Sequence, residues 1–307
     1  MSALPDLRVR LRQAGLRLLY RAGWGCVGRL PRRPVAALIA AGSRLAVWRA
    51  GQHLETLRHN LAVATGEPVP DALLRRGVAS YLRNFYEVLA LPGWDRQQVL
   101  DRVTTEGEDR LRSAYAGPGA VVALPHSANW DLAGAWAVQT GMPVTSVAEQ
   151  LADAEFRDFL AFRESLGMRV LSHRDPGTIS ALAGAVRAGR LVCLVADRDL
   201  PGSGVAVSWR GQPVTMPAGP AMIARRTGAA LIPAVCHFTP TGMRISFGDV
   251  VESRPGRTGL QAMTQQVADF FAAQIARQPE DWHMLQPFFP GSSSEPSSGP
   301  APGSVPS

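Results

Sequence analysis

A histidine and an aspartate five residues apart, His126 and Asp131, stand in the stretch VVALPHSANWDLAGAW, which covers Val121–Trp136. An imidazole with one ring nitrogen bound to a carboxylate is held in one tautomer. Its other nitrogen can then take a proton from a hydroxyl. The turn between the two residues lets Asp131 fold back toward His126, and Asn129 is a natural N-cap for the adjoining helix. The same spacing also fits a structural role, in which His126 satisfies strand-end carbonyls and Asp131 caps the helix.

A second cluster is Ala196-Asp197-Arg198-Asp199, two carboxylates flanking an arginine just after the most apolar run of the chain. One acid there can orient His126 or bind substrate hydroxyls, and Asp199 is the favoured second acid of the relay. Arg198 can meet a phosphate or steady the two acids. The alternative is a strand-end ion cluster. Glu149 can hydrogen-bond substrate hydroxyls, and Arg163 can reach a phosphate or carbonyl oxygen, unless both are solvated surface charges. His283, in PEDWHML, either sits near the groove or packs on aromatic neighbours. Trp130, Trp136, Phe156, Phe159 and Phe162 can wall an apolar pocket or simply fill the core.

Other chemistries find little support. The six histidines form no HxxxH or HExxH pair, and Cys26, Cys193 and Cys236 no CxxC, so neither a metal nor a disulfide framework is expected. No cofactor is expected. Ser127 and Ser203 do not lie in GxSxG, which weakens a serine-hydrolase mechanism.

The apolar pattern predicts the elements that must position these groups. Pro34–Arg49, Glu55–Ala64 and Asp71–Leu89 read as helices, with Asp71 as N-cap of the last. From Gly119 onward the texture changes. Gly119–Pro125, Pro143–Ala148, Arg169–Ser172, Leu191–Ala196, Val205–Trp209, Leu231–Phe238 and Met243–Phe247 read as strands. Between and after them Asp131–Thr140, Ala152–Leu166, Thr178–Ala188, Pro217–Thr227 and Thr258–Arg277 read as helices. This alternation predicts an α/β fold with a central mixed, largely parallel sheet flanked by helices and preceded by an N-terminal helical segment. The expected organisation is a helical, membrane-associating segment over 1–100, a body over 101–290 forming one domain with it, and a disordered tail over 291–307. Fourteen of those last 17 residues are Gly, Pro or Ser.

At 307 residues, 46% hydrophobic and 19% charged, the chain is too long and too apolar for a disordered protein. Its net charge of +7 is concentrated at one end: residues 1–33 hold eight arginines and a single acid, Asp6. A neutral body with one basic end argues against nucleic-acid binding and for a local anionic contact such as a membrane surface. Leu4, Leu7, Leu11, Ala14 and Leu18 form a helical stripe with arginines on another face, which suits a helix lying in a lipid interface. No run is apolar enough to span a bilayer, and no signal-peptide block is present, so a cytoplasmic location is expected.

His126-Ser-Ala-Asn-Trp-Asp131 resembles the HX4D motif of glycerolipid and lipid A acyltransferases. The segments downstream of it, in their order, resemble the lipid A late acyltransferases in particular: FRESLGMRV at Phe162–Val170, GTISALAGAVRAGR at Gly177–Arg190, LVADRDL at Leu194–Leu200, RGQPVTMPAGPAMIA at Arg210–Ala224 and PEDWHML at Pro279–Leu285. Within that superfamily the DRDL and PEDWHMLQ stretches and the lysine-free, arginine-rich composition are most similar to the actinobacterial phosphatidylinositol mannoside acyltransferases. The resemblance extends over residues 5–290. It implies transfer of a palmitoyl chain from acyl-CoA to the 6-hydroxyl of the mannose on the inositol 2-position, at the cytoplasmic face of the plasma membrane. It also implies His126 as general base with Asp131 as its orienter. Asp199 would serve as second acid, and Asn129, Glu149, Arg163, Asp197, Arg198 and His283 would meet substrate. Another lipid acceptor or an acyl-carrier-protein donor would use the same chemistry. A lipid hydrolase and a non-catalytic lipid-binding protein are the alternatives of other classes.

Overall fold

The computed structural model describes residues 30–49, 51–148, 160–199 and 202–290. The leucine stripe over residues 4–18, Glu149, Phe156, Phe159, the first part of the 152–166 helix and the 291–307 tail lie outside the described residues.

Three helices open the described chain: α1 (Arg32–Arg49), α2 (Gln52–Thr65) and α3 (Asp71–Ala90). Asp71 is the first helical residue of α3 rather than its N-cap, a position held by Pro70. There its carboxylate suits the positive end of the helix and pairs with Arg58 at 2.7 Å. A short helix α4 (Arg96–Asp101), capped reciprocally by Asp95 and Gln98, leads into β1 (Val103–Glu106) and α5 (Glu108–Ala116). The alternating part comprises β2 (Ala120–Leu124), α6 (Trp130–Gln139), β3 (Val144–Ala148), β4 (Arg169–Ser172), α7 (Thr178–Arg187) and β5 (Leu191–Val195). After a hairpin of β6 (Val205–Trp209) and β7 (Gln212–Met216) come α8 (Gly219–Thr227), β8 (Ala230–Phe238), β9 (Met243–Phe247) and α9 (Gly256–Arg277).

Seven strands form one sheet in the order β1-β9-β8-β2-β5-β3-β4. Every pairing is parallel except β8 with β9. The expected mixed, largely parallel α/β architecture with N-terminal helices is therefore the observed one. Its inner strands are apolar without alternation because both faces are covered. All five residues of β2 are buried. Val121, Ala123, Val192 and Leu194 pack on the face carrying α2, α7, α8 and α9. Val122, Leu124, Ile232, Ile245 and Phe247 pack on the face carrying α5 and α6.

Val205–Trp209 is a strand, as expected, but it belongs to a separate two-stranded ribbon with Gln212–Met216. Arg210 and Gly211 have φ of 49° and 85°, so this is a two-residue turn with both central residues left-handed, the geometry that matches strand twist. The strand β1 and the helix α5 carry too few apolar residues to announce themselves in the sequence.

The helix α3 is locked to the sheet by Arg83. Its guanidinium bonds Glu87 at 2.8 Å and the carbonyls of Thr239 and Gly242 at 2.8 Å each, and lies 4.0 Å above the Phe238 ring. The Glu87 side chain is 2% exposed. Arg83→Ala removes the close partner of that carboxylate and leaves Arg32, 3.7 Å away, and the longer-range charge of Arg102. The expected loss is about 3 kcal/mol of unfolding free energy, read as a lower urea midpoint at unchanged slope.

Candidate active site

The strands β2 and β5 are neighbours, with Leu124 opposite Val195. The chain beyond them stays paired for one more bond, Ala196 N–H to Leu124 O at 2.7 Å. His126 and Asp197 each lie two residues past that register point, so parallel pairing alone brings them together. His126 Nδ1 is 2.6 Å from Asp197 Oδ1, and the His126 backbone N–H donates to Asp197 Oδ2 at 2.9 Å. A third donor is the Trp282 indole, 3.0 Å from Oδ2. Asp197 is completely buried, while the His126 side chain is 25% exposed.

The turn after His126 is shaped by the segment Asp281–His283. Ala128 has φ 47°, its N–H donates to Asp281 O at 2.9 Å, and the His283 N–H donates to His126 O at 2.8 Å. Asn129 Oδ1 accepts from Leu132 N at 2.9 Å, so Asn129 is the N-cap of α6, as expected. That bond and its full burial leave its carbonyl oxygen to the helix rather than to a substrate.

Two acids take places other than those expected of them. Asp131 does not orient the imidazole. It stands in the first turn of α6, and its Oδ1 accepts from Arg163 Nε at 2.6 Å in an ion pair with both side chains at least 90% buried. Asp199 does not reach the imidazole either. Its Oδ2 accepts from Gly204 N at 2.8 Å and fastens the loop that leads to β6. Asp197, expected to meet substrate, is sealed and fully engaged by its three donors. Trp282 is outside the expected set. VVALPH and CLVAD are two apolar strands that each end two residues before a chemical group, a match that becomes a contact only because β2 and β5 are neighbours.

Burial alone would push the Asp197 carboxyl up. The charge of His126 and the hydrogen bonds from its ring, from Trp282 and from the His126 backbone outweigh burial and hold the carboxyl below its ordinary range. An ionised Asp197 accepts from Nδ1–H, so in the neutral imidazole the lone pair falls on Nε2. Among the described residues Nε2 has no hydrogen-bond partner. A second imidazole stands close by. His283 is pushed down to about 3, first by burial and then by the charge of His126, so it is neutral. Its Nε2 is 3.0 Å from Ser80 Oγ, which donates to Asp281 Oδ1 at 2.6 Å. Ser127 is buried, and its hydroxyl donates to Cys236 O, so the serine next to the histidine in sequence is not poised as a nucleophile.

Two spaces lie near the dyad, one bordered by Trp130 and the other by Asp197. Trp130 stands edge-on to His126, with ring centroids 5.3 Å apart, and opens an apolar slot between α6 and the sheet. Side chains of β3, β5, β2 and β9 line it, so it crosses five strands, about 19 Å at the usual strand spacing. About 560 Å³ is empty of atoms, but only about 40 Å³ is wide enough for the centre of a water molecule. Trp136 and Phe162 belong to the packed core around it, and Arg163 with Asp131 supplies its polar wall. On the other side, Arg198, Asp199, Gly202, Thr215, Gln286 and Phe288 border an open, polar groove of about 640 Å³.

Residues 6–290 match the family model of the bacterial lipid A biosynthesis acyltransferases. The chain belongs to that family. It is 43% identical over 277 residues to a phosphatidylinositol mannoside acyltransferase of Mycolicibacterium smegmatis, covering 87% of this chain and 89% of the relative. It is 42% identical over 278 residues to a phosphatidylinositol mannoside acyltransferase of Mycobacterium tuberculosis, covering 87% and 86%. The ion pair of Asp131 and Arg163 lines the slot, whereas Asp197 bonds the imidazole. Arg163→Ala strands the Asp131 carboxylate in that wall. The expected cost is about 3–5 kcal/mol in equilibrium denaturation, and Arg163→Lys, which keeps the charge, recovers part of it.

Proposed function

We propose that this protein transfers a long acyl chain, palmitoyl by preference, from acyl-CoA to the 6-hydroxyl of a mannose on a phosphatidylinositol mannoside. The observation that carries the reading is a carboxylate-bound imidazole whose edge-on neighbour, Trp130, lines a narrow apolar slot. The names of the mycobacterial relatives supply the acceptor class.

In this reading Nε2 of His126 removes the hydroxyl proton as the oxygen attacks the thioester carbonyl. Asp197 steadies the imidazolium that forms. The tetrahedral intermediate then collapses, the carbon–sulfur bond breaks, and the imidazolium returns its proton to the leaving thiolate. No acyl-enzyme is needed. The acyl chain occupies the slot, and Arg198 and Asp199 face the polar head group or the donor in the open groove. His283, neutral and unprotonated at a buried Nδ1, takes a sugar hydroxyl only as the acceptor lipid displaces the packing around it.

His126→Ala is expected to lower transfer by about 10²–10⁴-fold while leaving the circular dichroism spectrum unchanged. Asp197→Asn is expected to lower kcat by at least tenfold. The assay is mass spectrometry of the product formed from a mannosylated inositol lipid and palmitoyl-CoA, with palmitoyl-carrier protein as a parallel donor and a lysophospholipid as a parallel acceptor. Normal turnover by folded His126→Ala protein defeats the mechanism. Free fatty acid with no acylated lipid would make the protein a hydrolase.

The same reading places the protein on the cytoplasmic face of the plasma membrane as a peripheral enzyme. No helix among the described residues is long and apolar enough to cross a membrane. The helix α1 carries four arginines and no acid, and leaves Leu38, Leu45 and Trp48 exposed at 68%, 45% and 79% along one side. Apolar side chains beside arginines suit an anionic lipid surface. The double substitution Leu38→Glu and Trp48→Glu is expected to weaken binding to anionic vesicles by at least tenfold, measured by co-sedimentation, without loss of thermal stability. Unchanged affinity would remove α1 from the contact.

A further inference from the structure

We propose that Trp282 is a positioning residue of the reaction, its indole N–H fixing the carboxylate of Asp197 so that Asp197 can hold His126 in place. The inference rests on the reading of His126 and Asp197 as a base and its orienter.

Asp197 accepts three hydrogen bonds among the described residues, and two of them come from His126 itself. Those two tie ring and carboxylate to each other but leave the carboxyl plane to follow any movement of the turn. Rotation about the last bond of an aspartate is soft and broad. The indole is the donor that comes from a different element, so it is what refers the dyad to the rest of the fold.

The indole is itself immobilised. It is 1% exposed. It stacks on Trp209 at a centroid distance of 5.5 Å and an angle of 12°, and Phe288 meets it edge-on at 5.2 Å. Along the backbone it bridges Ser127, between the two residues that bond the turn, Asp281 and His283. One short segment therefore fixes the main chain of the base and the side chain of its orienter together.

Trp209 supplies a matched control. It lies in the same stack, is as fully buried, and its own indole nitrogen has no partner among the described residues. Trp282→Phe and Trp209→Phe remove the same atoms from the same ring cluster, but only the first removes a donor to Asp197. Benzothienylalanine at position 282 keeps the fused ring and replaces the N–H with sulfur, which serves where the phenylalanine variant is too unstable.

The experiment measures kcat, KM for donor and acceptor, thermal midpoint, and the far-downfield proton resonance of His126 Nδ1–H. Both position-282 variants are expected to lose about 10- to 100-fold in kcat, the worth of a hydrogen bond to a charged group, with either KM within about twofold. Their downfield resonance moves upfield or broadens away. Trp209→Phe, similarly destabilised but still offering Trp282 a ring to stack on, keeps its resonance and stays within about twofold of the parent kcat. Equal loss of kcat in the 209 and 282 variants, or full kcat in the benzothienyl protein, overturns the proposal. Asp197→Asn is assayed alongside: full turnover there sinks the underlying dyad, whereas lost turnover there with full kcat in the 282 variants sinks the role of Trp282 alone.

Discussion

A hydrogen bond between a sealed carboxylate and a partly exposed imidazole is the constraint around which this molecule is arranged. An aspartate with no access to water costs several kcal/mol unless its lone pairs are occupied. Here a ring N–H, a backbone N–H and an indole N–H occupy them. Each donor depends on a separate piece of architecture. The ring arrives through parallel pairing of β2 with β5, the backbone N–H through the turn after Pro125, and the indole through the chain beyond α9. The sheet alone therefore cannot assemble the site. The C-terminal segment must dock before the carboxylate is satisfied.

The spacing of four residues between His126 and Asp131 acquires a different meaning in this geometry. It is the length needed to leave a strand, pass through a left-handed residue at Ala128, and start a helix at Trp130. Within that length the acid falls in the first helical turn, where the helix dipole and Arg163 both favour a negative charge. The imidazole and the motif acid are thus neighbours in sequence with separate partners in space. The pair with Arg163 ties the start of α6 to the helical residues 160–165 within the lining of the slot.

How far the sequence is legible depends on which physical signal each element carries. The strands β2, β5 and β8 are legible because burial on both faces makes them continuous apolar runs. The helix α6 is legible because Asn129 announces its start. The strand β1 is not, since Val-Thr-Thr-Glu alternates weakly and borders the sheet beside β9. The ribbon partner β7 escapes a reading of the sequence because its register depends on the left-handed Arg210-Gly211 turn, and arginine gives no sign of that conformation. In the site, His126 is legible as a chemical group at a strand end. Its true partner is not, because the choice among Asp131, Asp197 and Asp199 depends on strand order, and a single sequence does not state which strands are neighbours. Trp282 lies within PEDWHML but has no local feature marking it as a donor, since its role exists only across a sequence separation of 85 residues.

The narrowness of the slot connects packing to chemistry. Met168 rests on Gly134 so closely that a Cβ at position 134 would come within 2.4 Å of its sulfur. A methionine is unbranched and soft, so this wall can shift for a guest at less cost than a branched side chain would demand. A chain entering the slot would gain about 0.8 kcal/mol for each methylene it buries, and part of that gain would be consumed in parting the walls. Short chains would gain too little to open the full length, while long ones would hold it open and bring the reacting carbonyl to rest beside Trp130. Binding energy from the unreactive tail would thereby be converted into placement of the reactive end, which is the form in which remote contacts raise a rate constant rather than merely an affinity.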